Sequence, residues 1–155
     1  MAPRPRCMAI DPGERRWGIA VSDEDGELAH PRPVLTPKDE ASAIEAVRVI
    51  ANDEGVRVLV LGLPLELSGR EGPMAKKARA LGARLAEALG LDVAMWDERL
   101  SSVAASRALS SQGLSQKKQR GKLDSVAAAM LLGSFLEARD EVRARAITFR
   151  AGKTP

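Results

Sequence analysis

The stretch CMAIDPGERRWGIAVSD, from Cys7 to Asp23, holds two apolar runs around a turn. Cys7–Ile10 and Gly18–Val21 are short and apolar, the pattern of buried strands. Asp11, Pro12 and Gly13 between them suit a turn, so the stretch predicts a β-hairpin. Asp11 closes the first run, where an ionised carboxylate is costly to desolvate unless something pairs with it.

Outward from the hairpin, GELAHP reads as a third strand, at a sheet edge because Pro31 and Pro33 follow. TPKDEASAIEAVRVIANDEG predicts a helix with Thr36 as N-cap, Pro37 at its first position, a stripe of Ile44, Val47 and Ile50 or Ala51, and a stop at Gly55. VRVLVLGLP (56–64) is nearly continuous and β-branched, as in a strand buried on both faces. After the loop Gly62–Gly72 comes a helix with Met74, Ala78, Leu81, Leu85 and Leu89 on one stripe, ending at Gly90. LDVAMWDERL is a further strand that ends in acid, SSVAASRALSSQG (101–113) reads as a helix, and a last helix runs from about Lys122 to Ala138. Strands alternating with helices imply an α/β fold, a central sheet flanked by helices. Ligands in such sheets bind outside the carboxyl ends of the parallel strands. The domain is expected over residues 1–138, with 139–155 a charged tail whose last residues are disordered.

With 155 residues one domain is the expectation. Aromatic residues are 3% and Tyr is absent, so aliphatic side chains must fill the core and a base-stacking platform is disfavoured. One Cys and one His exclude an intrachain disulfide and a zinc site built on either. Any metal would be held by carboxylates, hence a hard cation, Mg²⁺ or Mn²⁺. No apolar run is long enough to span a membrane, and a cytoplasmic protein is expected. The net charge of +3 is compatible with a nucleic-acid partner.

Three acids are not explained by local structure. Asp11 ends one strand and Asp97-Glu98 ends another. Asp124 shares the stripe of Ala128, Leu131 and Phe135 in the last helix. Each has an ordinary reading: Asp11 as a turn residue, Asp97-Glu98 as an ion pair with Arg99, Asp124 as a first-turn acid favoured by the helix dipole. Together they would meet at one sheet edge, where like charges repel and a divalent cation removes the conflict. Two such ions about 4 Å apart suit phosphodiester cleavage.

IDPGERRWGIAVSD, VLGLPLELSGREG, DERLSS and KLDSVAAAMLL occur in the order and at about the spacing of the YqgF family, also called RuvX, which the chain resembles over residues 6–138. Its members are RNase H-like, similar in fold to the RuvC Holliday-junction resolvases, and described as nucleases of pre-16S rRNA. The resemblance implies a mixed central sheet flanked by helices and a metal-dependent hydrolase, with Asp11, Glu98 and Asp124 as catalytic residues and metal ligands. Strand alternation puts Asp97 and Glu98 on opposite faces; the resemblance favours Glu98. The chain has ELSG where the family often has Asn, with Asp before the Gly, and Ser in DERLSS where Thr is common.

The run QKKQRGK carries Lys117, Lys118, Arg120 and Lys122 with no acid. Beside such a site these residues are candidates for phosphate contacts, against the plain reading of a solvated loop. Arg15 and Arg16 in the hairpin turn are weaker candidates. The loop before the second helix could seat a phosphate at the helix N-terminus or be a simple connection.

The favoured reading is a nuclease on structured RNA or branched DNA, processing the ends of pre-16S rRNA. The alternatives are a Holliday junction resolvase-like DNA endonuclease and a non-catalytic nucleic-acid-binding module in transcription or ribosome assembly. A resolvase usually needs a symmetric homodimer, and the sequence displays no dimer interface. An ATP-binding fragment of the actin-like kinase type would need a second domain and a second phosphate hairpin, for which the chain has no room.

Overall fold

The computed structural model describes residues 4–101, 103 and 116–151, with 116–124 described as backbone only. The hairpin forms as expected. β1 (Arg6–Pro12) and β2 (Trp17–Ser22) are antiparallel, with Asp11 opposite Gly18 and Pro12 opposite Trp17. The turn closes where the Gly13 N–H donates to the Arg16 carbonyl at 2.9 Å. A Cβ on Gly13 would lie 2.6 Å from that oxygen, so the turn requires glycine.

β3 (Ala29–Leu35) continues antiparallel along β2 and is an edge strand, the position that tolerates its two prolines. On the other side of β1, β4 (Val56–Leu63) and β5 (Asp92–Asp97) run parallel to it. The sheet order is β3-β2-β1-β4-β5-β6, where β6 (Ile147–Phe149) pairs antiparallel with β5. The sheet is therefore mixed, as expected.

Both faces are covered. α1 (Glu40–Glu54) and α2 (Pro73–Leu89) seal one, where Met8, Ile10, Leu59, Leu61, Val93 and Met95 meet Ala43, Val47 and Leu85. α3 (Gln116–Glu137) lies across β1, β2 and β3 on the other, with α4 (Asp140–Ala146) below it. There Cys7, Ala9, Val58, Val60, Ala94 and Trp96 meet Ala128, Leu131, Leu132 and Phe135. The near-continuous hydrophobicity of β4 follows from this burial on both sides. Burial also pushes the Cys7 thiol up to about 11, which makes it a core residue with little thiolate. Among the described residues no helix is long and apolar enough to cross a membrane.

Four local expectations are corrected. α1 begins three residues later than Thr36-Pro37 suggests: Asp39 is the N-cap, its carboxylate accepting from the Ser42 N–H at 2.7 Å, because Asp-x-x offers the free amides a stronger acceptor. In α2 the stripe runs through Ala75, Leu81, Gly82 and Leu85, while Met74 in the first turn is exposed. α3 is already helical at Gln116, ahead of the expected Lys122, so the basic run occupies helical turns and is not a loop. The segment after 138, read as a charged tail, carries α4 and β6. Its charges are compatible with packing because the Arg143 guanidinium is paired with Asp140 and lies over the Phe135 ring. The helix expected over 101–113 falls largely outside the described residues, as do 152–155.

Candidate metal site at the carboxyl edge of the sheet

Alternation along the strands assigns each acid to a face. Met8 and Ile10 belong to the α1–α2 core, Cys7 and Ala9 to the α3 core, so Asp11 continues on the α3 side. In β4, Val58 and Val60 face α3, and Gly62 follows them. Ile10 is in register with Leu61, which places Asp11 and Gly62 side by side at the carboxyl ends of β1 and β4. Asp11 and Glu98 are both half-buried.

Asp97 and Glu98 part as β5 ends. Asp97 pairs with Leu63, a residue of the α1–α2 core. Its carboxylate caps the 3-10 turn Glu98–Leu100, accepting from the Arg99 N–H at 2.9 Å and pairing with the Arg99 guanidinium. Hydrogen bonds from the Arg99 side chain, then the Arg99 amide, hold Asp97 below its ordinary pKa. Arg99 also reaches the Leu67 carbonyl at 3.4 Å, tying this turn to the loop after β4.

Glu98 takes the other direction, back over β4. A Cβ built on Gly62 would meet the Glu98 side chain at 2.5 Å from Oε1, 2.9 Å from Cγ and 3.0 Å from Cδ. The carboxylate arm thus occupies the space that a side chain at 62 would fill, on the face that Asp11 shares. The turn beneath it is pinned by α3. The Ser134 hydroxyl donates to the Leu100 carbonyl at 2.8 Å and accepts from the Trp96 indole N–H at 3.0 Å.

Asp124 lies in α3 one turn before Ala128, and its side chain is outside the described residues. The same holds for Lys117, Lys118, Arg120 and Lys122, whose positions are the first turns of that helix. The next residue, Ser125, is buried and its hydroxyl donates to the Arg32 carbonyl of β3, which fixes the helix against the edge strand. Arg15 is exposed and Arg16 half-buried in the hairpin turn, at the end of the sheet where Asp11 lies. Among the described residues no group of three His, Cys, Asp or Glu is gathered closely enough to hold a metal ion. Two carboxylates of hard oxygen donors on one face, the second in a cradle a Cβ would fill, fit a hard divalent cation as part of its donor set.

The model of the RuvX family, described as Holliday junction resolvase, matches residues 5–138. The chain belongs to the RuvX family. Its curated relatives include proteins named "Putative pre-16S rRNA nuclease" from Mesorhizobium japonicum and Anaeromyxobacter sp. strain K. The first is 37% identical over 145 residues, covering 94% of this chain and 87% of the relative. The second is 41% identical over 134 residues, covering 86% and 98%. The structure of T. thermophilus RuvC in complex with Holliday junction substrate aligns over 96% of this chain and 99% of that one, with a TM-score of 0.51 and 16% identity. That likeness shows a RuvC-like fold, the RNase H-like architecture expected from the sequence motifs.

Sequence reasoning offered Arg99 as an ion-pair partner, which it is for Asp97, but passed over the roles of Gly62 and Ser134. Gly62 had a signal: an isolated glycine inside an otherwise unbroken strand pattern marks a close approach by another group.

Proposed function

We propose that this RuvX protein is a divalent-metal-dependent nuclease that cleaves the phosphodiester backbone of structured RNA, with the ends of pre-16S rRNA as its substrate. The observation that carries the reading is Glu98 folded back over Gly62 on the face shared by Asp11 and covered by α3, the helix in whose sequence Asp124 lies. Mg²⁺ or Mn²⁺ held there would supply Lewis-acid stabilisation of the phosphoryl charge and a nucleophilic water at neutral pH. Asp11, Glu98 and Asp124 would hold the cation. Lys117, Lys118, Arg120 and Lys122, on the first turns of α3, hold the nucleic-acid backbone without reading its sequence. Arg15 and Arg16 extend that contact from the hairpin turn. The names of the curated relatives support RNA as the substrate.

The family description favours a second reading, cleavage of branched DNA, which would need two copies to cut two strands in register. Cleavage of a precursor rRNA end and of a four-way DNA junction, each with Mg²⁺ or Mn²⁺, separates the two. In the same assay Asp124→Asn keeps the shape of the ligand but removes its charge. Cleavage falls by orders of magnitude while nucleic-acid binding persists and metal-free melting is unchanged or raised, since a mutually repelling carboxylate has gone. Near-normal cleavage by Asp124→Asn would remove that residue from the site.

A further inference from the structure

We infer that Gly62 is a positioning residue for the metal ligand Glu98: its missing side chain is the seat that lets an acid from the end of β5 cross β4 toward β1. The inference rests on the metal-ligand reading of Glu98 given above. The sheet order sets the problem. β4 lies between β1, which carries Asp11, and β5, which leads into Glu98. An acid leaving β5 must pass over β4 to share a cation with Asp11, and the residue in its way on that face is number 62, in register with Trp96 and next to Asp11.

The obstruction a larger residue would create is specific. The three heavy atoms nearest an added Cβ all belong to Glu98, at 2.5 to 3.0 Å. All three are side-chain atoms and none is backbone, so an alanine at 62 leaves the strand in place and displaces the carboxylate arm. Gly62 itself has no need of positive φ, which among the described residues is confined to Gly26, Gly55, Gly69 and Gly90. A strand interior otherwise disfavours glycine. Its presence here is explained by what lies over it.

The test is a double-mutant cycle on the full chain with Mn²⁺ as the probe, read by titration calorimetry and by thermal melting without metal. Gly62→Ala is expected to melt within a few degrees of the parent and to bind Mn²⁺ about ten- to a hundredfold more weakly, the usual range for loss of ligand positioning. In the Glu98→Ala background, where nothing occupies the seat, Gly62→Ala should change Mn²⁺ affinity no further. If Gly62→Ala fails to fold but Gly62→Ala/Glu98→Ala folds, the clash with Glu98 is confirmed. Unchanged Mn²⁺ affinity in Gly62→Ala, an equal loss in both backgrounds, or failure of both variants to fold would overturn the inference. Undiminished Mn²⁺ binding by Glu98→Ala alone would instead overturn the ligand reading on which it rests.

Discussion

The Trp96 indole N–H donates to the Ser134 hydroxyl, and through it β5 and α3 grip the turn that carries Glu98. Ser134→Ala strands a buried indole N–H and releases the Leu100 carbonyl. The expected cost is about 1–2 kcal/mol, read by urea denaturation. Cleavage should fall more than stability alone accounts for, because Glu98 loses its support. Parent-like stability would mean that water replaces the hydroxyl.

Neighbouring acids in one motif should behave oppositely. Glu98→Gln should reduce cleavage by orders of magnitude with little change in melting. Asp97→Asn weakens the cap and the Arg99 pair, so it should lower melting and cost no more than about ten- to a hundredfold in rate, as for groups that orient a site. Equal losses of rate would contradict the division of roles between the two faces.

How much of this was legible in the sequence depends on range. The hairpin, the two-faced strand β4 and the edge position of β3 follow from apolar periodicity and prolines, which act locally. Asp97 and Glu98 could not be told apart, because the choice is made by Arg99 on one side and an empty glycine position on the other, 36 residues earlier in the chain. The segment 139–150 read as a tail because β6 is only three residues long and flanked by arginines. Its strand character comes from a vacant edge of β5, which no local pattern announces.

The basic run now belongs to a helix. Replacing Lys117, Lys118 and Arg120 with Ala should weaken binding equally for unrelated sequences and flatten the dependence of affinity on salt, since fewer counterions are released. Alanine suits helical turns, so melting should hold or rise. An unchanged salt slope would show that the run faces away from the nucleic acid.

Glu54 at the end of α1 joins Arg32 of β3 and Arg6 of β1. Hydrogen bonds from Arg32 hold its carboxyl below the ordinary value of 4.5. A carboxylate depressed on folding adds stability that is full above its unfolded pKa and is lost as pH falls through its folded one. Glu54→Gln should therefore be less stable than the parent by under about 1 kcal/mol near neutrality, and the difference should close as pH falls from the ordinary carboxylate value through the lowered folded one. A gap that persists in acid would point to packing rather than charge.

Phe149 of β6 lies against α2, where its ring is 3.0 Å from the position of a Cβ on Gly82. Phe149→Ala should cost about 1–3 kcal/mol for a half-buried ring. A change below about 0.5 kcal/mol, the range of a neutral surface substitution, would make the carboxyl-terminal segment an appendage after all.

The prolines of β3 bear on how copies of this chain meet. Pro31 and Pro33 have no N–H to donate, and the pairing of β3 with β2 is irregular between Arg32 and Leu35. The prolines and the irregular register both break up β3 as a regular edge. The opposite rim of the sheet ends in a strand of three residues. Both rims are thus poor templates for a further strand. Among the described residues the folded sheet offers fibril growth a poor starting edge on either side. Edge-to-edge fusion of sheets is thus a disfavoured way to join two copies of this chain.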